Sequence, residues 1–208
     1  MRPLILIGGG GHCKSVIEVA ESAGYSILGV LDMPEDVGKQ ILSTKVISTD
    51  DDIPAFVDKA EFVITVGYIK NPATRVRLFN QVKDVGGKQA TIIASTAYVS
   101  KYATIGEGTV VLHHAFVNAG ARVSENVIVN SCANIEHDVV IGAHTHVSTG
   151  AMVNGEVHIG ERCFIGSQAV IANNIHICDD VIIGAGSVIL KDIIEPGTYV
   201  GNPAVRVK

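Results

Sequence analysis

Residues 134–142 read Asn-Ile-Glu-His-Asp-Val-Val-Ile-Gly and set one imidazole between two carboxylates. A neutral imidazole near pH 7 can take a proton from an attacking amine or hydroxyl, and a carboxylate on its other ring nitrogen fixes the tautomer. His137 is thus the candidate general base, and both Glu136 and Asp138 are available to orient it. Adjacent side chains on a strand point to opposite sides, so contact with either carboxylate requires the chain to turn there. A second cluster follows the apolar run of residues 3–7: Gly8, Gly9, Gly10 and Gly11, then His12. Glycines after a strand let the backbone approach a phosphate, whose charge the N–H groups and the positive end of the next helix stabilise. In the GxGxxG spacing from Gly8 the last position is Cys13, so a tight turn without a ligand is the alternative. His12 directly after the glycines favours binding. Asp32, at the end of the next apolar run, could accept from a ribose hydroxyl. A further loop from Gly67 to Lys70 opens on the same edge of the sheet.

These residues need a scaffold, and from Val99 onward the chain can be written in sixes without a gap. The first letter of each six is Val or Ile from Val99 to Ile189, so (189 − 99)/6 + 1 gives 16 repeats. The fifth letter is nearly always small or β-branched. No helix has this period. A β-branched residue every sixth position suits a chain that turns a corner every six residues and stacks coil on coil, a parallel β-helix. Three repeats close one triangular coil, so residues 18 apart stack at roughly 4.8 Å and the prism has about five coils, about 25 Å tall. First-position side chains are expected inside. Glycines and asparagines at second and third positions, such as Gly106, Asn118, Gly142, Asn154 and Gly184, are expected at corners needing φ > 0. Directly above His137, 18 residues on, stands Gly155, which leaves room and a free N–H beside the imidazole for a thioester carbonyl.

Ahead of the prism, apolar runs at residues 3–7, 26–31, 46–48, 62–66 and 91–93 alternate with helical patterns at 14–23, 51–59 and 72–85. Alternating strands and helices predict a parallel sheet with right-handed crossovers, a small Rossmann-like domain over residues 1–94, followed by the prism over 95–208.

The net charge of −5 offers no basic surface for nucleic acid. No apolar run approaches the roughly 20 residues needed to span a membrane, and the start lacks a signal peptide's cleavage region. A cytoplasmic protein is expected. Cys13, Cys132, Cys163 and Cys178 show no CxxC spacing and read as buried thiols in a reducing compartment. Of the seven histidines in the prism, only His158 and His176 share a column on adjacent coils, and no carboxylate or Cys completes a tetrahedral set, so no metal is expected. Cys132 and Cys178 have no basic partner, which speaks against an acetyl-cysteine route.

The ungapped hexads, the GGGGH loop and the IEHD segment followed nine residues after its His by His146 resemble the bacterial acetyltransferases of nucleotide-linked amino sugars and the sialic acid O-acetyltransferases. The resemblance spans essentially the whole chain. It implies a left-handed β-helix, a homotrimer with sites between neighbouring prisms, acetyl-CoA along an outer groove, and a nucleotide sugar held by the N-terminal domain. It implies His137 as general base and Asp138 as its orienting carboxylate. His146, Gly155, Asn202 and Pro203 would meet acetyl-CoA, and Gly8, Gly10, His12, Asp32, Gly67 and Asn130 would meet the nucleotide sugar, with Asn130 and His146 lining the acceptor and acetyl site. Family members often begin the prism with His-Pro, where this chain has Ala94-Ser95, and carry an acidic residue where it has Met33. The expected reaction is N-acetylation of the 4-amino group of a nucleotide-linked 4-amino-4,6-dideoxy sugar in surface glycan synthesis. The alternatives are O-acetylation of a sialic acid, and a trimeric scaffold whose N-terminal domain senses nucleotides.

Overall fold

The structure is a computed structural model that describes residues 2–207. It opens with β1 (Leu4–Ile7), α1 (Gly11–Ser22), β2 (Ile27–Leu31), β3 (Gln40–Ile41), β4 (Thr44–Ser48), β5 (Glu61–Ile64) and α2 (Ala73–Asp84). The strand order is β3-β4-β2-β1-β5. Four strands are parallel as expected, whereas β3 runs antiparallel to β4 as a short edge hairpin. The helix expected over 51–59 is a 3-10 helix, Asp50–Phe56, with Pro54 inside it. Alternation along β1 decides the layering: Leu4 and Leu6 pack with Val16, Ile17 and Ala20 of α1, while Ile5 and Ile7 pack with Leu78, Phe79 and Val82 of α2. Because β1 lies between β2 and β5, the chain reverses direction across the sheet there, leaving a crevice beyond the strand ends where ligands of such sheets bind.

The next strand, β6 (Ile92–Ile93), departs from expectation. It pairs with Val110–Val111 and so forms the first rung of a prism face rather than a strand of the α/β sheet. Ile92 faces the core shared with α1, and Ile93 packs against the prism interior. Ile93 is also six residues before Val99, so the repeat starts one hexad earlier than Val99.

Beyond β6 every expected repeat forms a short strand ending at its first-position Val or Ile, and those up to Ile171 pair in parallel with the residue 18 further on, as in Tyr98↔Phe116↔Asn134, while in the last coil the spacing tightens to 16, as in Ile183↔Tyr199. Three sheets result, the faces of a left-handed parallel β-helix. One continuous core of first- and fifth-position side chains runs up its axis, from Val111 and Ala115 to Ile189 and Ile193. The polar fifth positions remain satisfied there: Thr109 and Thr145 donate to the carbonyls of Ser124 and Gly160.

The corners correct one expectation. Positive φ falls at the fourth position of each hexad from Gly108 to Gly186, including His114, Asn126, Asp138, Glu156 and Asp180, and not at the second. Second-position glycines serve close approach instead: a Cβ on Gly142 would lie 2.5 Å from the Gly160 carbonyl carbon one coil above. The chain closes with a hairpin, Gly197–Gly201 and Ala204–Arg206, whose first strand joins the same sheet as β6. No helix is long and apolar enough to cross a membrane among the described residues.

Candidate active site

The first group of functional side chains sits where the α/β sheet meets the prism. A cavity of about 620 Å³ is lined by Gly8–His12, Asp32, Thr65–Ile69, Asn130, His146 and Thr149. It thereby gathers Gly8, Gly10, His12, Asp32, Gly67, Asn130 and His146. Gly8 adopts φ +103° and a Cβ there would meet the Val66 side chain at 2.4 Å, so glycine is required to pass the β5 loop. Gly10 caps α1 without any side-chain hydrogen bond, which leaves the helix's first N–H groups open to a ligand. The Asp32 carboxylate accepts from the Gly9 N–H at 2.9 Å and so shapes the loop as well as facing the cavity. Tyr68 and Thr149 were not legible beforehand. The single hydroxyl hydrogen of Tyr68 is shared between the carbonyls of His144 and Cys163, pinning the loop after β5 onto the prism.

Two imidazoles of this cavity are deeply buried. Burial, with the Arg75 charge adding to it, lowers His12 to about 3 and His146 to about 4. Both are neutral in the folded protein, and His12 Nε2 has no protein partner. Because the folded values lie below the unfolded one, near 6.5, the unfolded chain binds protons first as pH falls. Their contribution to stability is complete above pH 6.5 and is lost below it. Together they should steepen the fall by about 2.7 kcal/mol per pH unit between roughly pH 6 and pH 4. Urea unfolding at pH 7, 6 and 5 checks this, and His12→Asn should remove about half of that slope.

The second group lies on another corner of the prism. His137 follows the strand Asn134–Ile135 in a turn, and Asp138 beside it takes φ 61°. That turn swings the two adjacent side chains together, so His137 Nδ1 meets Asp138 Oδ2 at 3.0 Å. Glu136 is engaged elsewhere, accepting from Asn118 at 2.7 Å and Asn134 at 3.0 Å, and these bonds hold its carboxyl below the usual range. Of the two carboxylates, Asp138 reaches the imidazole. Gly155 stacks above as the register requires: a Cβ on it would lie 2.6 Å from His137 Cε1 and Nε2. His137 and Asp138 are half exposed, with side chains 52% and 63% accessible.

One expected grouping is not formed within the chain. His146 sits with the glycine loop and not with Gly155, because hexads three apart share a corner and hexads one or two apart do not. Its Nδ1 bonds the Tyr68 carbonyl at 3.0 Å and its Nε2 the Asn130 amide at 3.2 Å. At the far end of the prism, Leu190, Lys191, Tyr199 and Pro203 line a cavity of about 360 Å³. Lys191 stands in the His137–Gly155 column, two coils and about 10 Å above Gly155. Asn202 lies in the hairpin turn outside that lining.

The histidine pair expected to stack does so: His158 and His176 lie 4.7 Å apart and 3° from parallel. Parallel rings direct their lone pairs side by side, not at a shared ion, and no cluster of three metal-ligating side chains occurs among the described residues. Burial pushes Cys13 up to about 11 and Cys163 up to about 12, so both are protonated thiols. Cys132, expected buried, is exposed on a corner.

An α/β domain with an open helix N-terminus, joined to a left-handed β-helix bearing a His–Asp pair beneath a stacked glycine, defines a hexapeptide-repeat acyltransferase. The comparisons with known proteins narrow that class. The family described as PglD N-terminal domain matches residues 3–82, and that described as bacterial transferase hexapeptide (six repeats) matches residues 156–191. The acetyltransferase domain of PglB from Neisseria gonorrhoeae FA1090 is 32% identical, with 100% of both chains covered and a TM-score of 0.91. Its complex with acetyl coenzyme A superposes with a TM-score of 0.92 over 99% of both chains, at 32% identity. PerB from Caulobacter crescentus, in complex with CoA and GDP-perosamine, is 27% identical over 99% of this chain and 97% of its own, with a TM-score of 0.91. No curated protein sequence matched. The chain belongs to the PglD-like family of hexapeptide-repeat acetyltransferases.

Proposed function

We propose that this chain transfers an acetyl group from acetyl-CoA to the 4-amino group of a nucleotide-linked 4-amino-4,6-dideoxy sugar, as a homotrimer whose sites lie between neighbouring prisms. The observation that carries this reading is the separation of the two groups within one chain. The glycine-loop cavity ends at Asn130 and Thr149 on one corner, while His137, Asp138 and Gly155 occupy the next. In the proposed trimer a neighbouring copy brings them together.

The prism face between those corners supports such packing. Its outward column reads Tyr98, Phe116, Asn134, Met152, Val170 and Val188, with the Tyr98 and Phe116 rings stacked at 5.1 Å. Tyr98 is 57% and Met152 39% exposed, an apolar stripe that the N-terminal domain leaves uncovered. The face beyond carries Thr104, Arg122, Val140, His158 and His176.

In the proposed reaction the diphosphate rests at the N-terminus of α1, and Asp32 accepts from the ribose. Acetyl-CoA runs along the Gly155 column toward Lys191, whose ammonium meets a phosphate of the cofactor. The acceptor nitrogen attacks the thioester carbonyl, forming the C–N bond. His137 Nε2 takes the amine proton while Asp138 holds the tautomer, and the Gly155 N–H stabilises the oxyanion. Collapse breaks the C–S bond, and the proton passes to the thiolate, releasing CoA.

The test is CoA thiol release from acetyl-CoA with UDP-, dTDP- and GDP-linked 4-amino-4,6-dideoxy sugars beside free and CMP-linked sialic acid. Turnover of an amino sugar supports the proposal and identifies its nucleotide. Turnover of sialic acid alone would move the reaction to a hydroxyl acceptor, and silence throughout would leave a scaffold.

A further inference from the structure

Arg75 is the largest fully buried side chain, 1% exposed, and it lies at the joint between α2 and the prism. Burial lowers it to about 9, so it stays charged at neutral pH, and no carboxylate pairs with it among the described residues. Its partners are all main-chain carbonyls. Nη1 donates to Ile64 at 2.5 Å and Val66 at 3.1 Å, and Nε donates to Asn126 on the prism at 3.2 Å. An uncompensated buried cation is costly, and an apolar residue of similar size would fill the joint more cheaply. A role for the fork in holding the end of β5 accounts for its presence.

What that end holds is the wall of the glycine-loop cavity. Thr65 Oγ1 donates to the Gly8 carbonyl at 2.5 Å, Gly67 leaves room for His12, since a Cβ on it would lie 3.3 Å from His12 Cβ, and the Tyr68 carbonyl accepts from His146 Nδ1. A carbonyl can only accept, so Nδ1 carries the hydrogen of the neutral His146 ring and Nε2 is left as an acceptor. Nε2 must then receive the Asn130 amide N–H, while Asn130 Oδ1 takes the Ser131 N–H at 2.8 Å. The orientation of Asn130 on the cavity wall is settled by this sequence of bonds, leaving its second amide hydrogen as a donor.

We propose that Arg75 is a positioning residue for the acceptor: by clamping residues 64–68 to the prism it fixes the His146 tautomer and hence the donor that Asn130 presents to the nucleotide sugar. The proposal rests on the reading of this cavity as the acceptor half-site. It places no part of Arg75 in contact with substrate. Arg75→Lys keeps the charge and much of the volume but loses the fork, so it removes the clamp with little change in packing.

Two readouts are taken on the intact protein: the two KM values, and the ring ¹⁵N shifts of His146 without substrate. In Arg75→Lys the acceptor KM should rise about tenfold or more while the acetyl-CoA KM stays within about twofold. The His146 signals should pass from a single Nδ1–H form to an averaged mixture. Unchanged ring shifts, or both KM values rising together, would overturn the proposal. The ring shifts need no turnover, so failure of every acceptor with the unaltered protein would sink the proposed reaction and leave the Arg75 result readable.

Discussion

Replacing His137 by alanine is expected to lower kcat by about a thousandfold, within the range that a positioned general base contributes. The ring stands at a corner with 52% of its side chain exposed, and its contacts are Asp138 and the space beneath Gly155. None of the prism interior depends on it, so coil stacking and assembly should be unchanged. Size-exclusion chromatography with light scattering and the two KM values separate a lost base from a lost fold. A variant that transfers acetyl groups at the original rate would remove His137 from the chemistry.

The second large effect is expected at Gly155. A methyl group there would lie 2.6 Å from two imidazole atoms, a distance that real Cβ contacts do not reach, so the ring must move. The ring is held to Asp138 at 3.0 Å, and displacing it costs both that bond and the path of the thioester. Gly155→Ala should therefore lose about a hundredfold in kcat, since a shift near 1 Å at the reacting centre carries such a cost. Its acceptor affinity should be unchanged, because the glycine-loop cavity lies on a different corner. Equal damage to acceptor binding would contradict that separation.

The prism was legible because its constraint is strictly periodic: an inward β-branched side chain is required every six residues, and all 16 expected positions from Val99 to Ile189 end a strand. Gly155 directly above His137 followed from the same arithmetic. The corner conformation did not, since the fourth positions carry His, Asn, Cys, Asp, Glu, Arg, Gln and Gly alike. What is demanded there is a left-handed backbone angle: ten of the fourteen positions meet it with Gly, Asn, Asp or His, yet Cys132, Glu156, Arg162 and Gln168 adopt it too, so residue type marks the corner only in part. Arg75 was hidden for another reason. On α2 it reads as part of a solvated face beside Val76, yet that face meets a second domain instead of water, leaving Arg75 buried and Arg77 exposed. Ile92 and Ile93 look like one more strand of the α/β sheet, and only the in-phase spacing from Val99 distinguishes them. His146 was given to the cofactor by resemblance, and the structure places it across the corner, facing the glycine loop.

The claim on which the account turns is that one chain supplies His137 and its neighbour supplies the glycine-loop cavity. It is tested by unfolding and reassembling, in equal amounts, His137→Ala with Gly9→Val, a variant whose side chain would collide with Asp32 and Ile41 and close the cavity. Each protein alone should be inactive. In randomly mixed trimers, half the chains retain His137 and half retain the cavity, so about a quarter of the sites combine both and acetyl transfer should recover to about that fraction. No recovery in trimers shown to be mixed would mean that each chain holds a complete site of its own, and the proposed arrangement would be wrong.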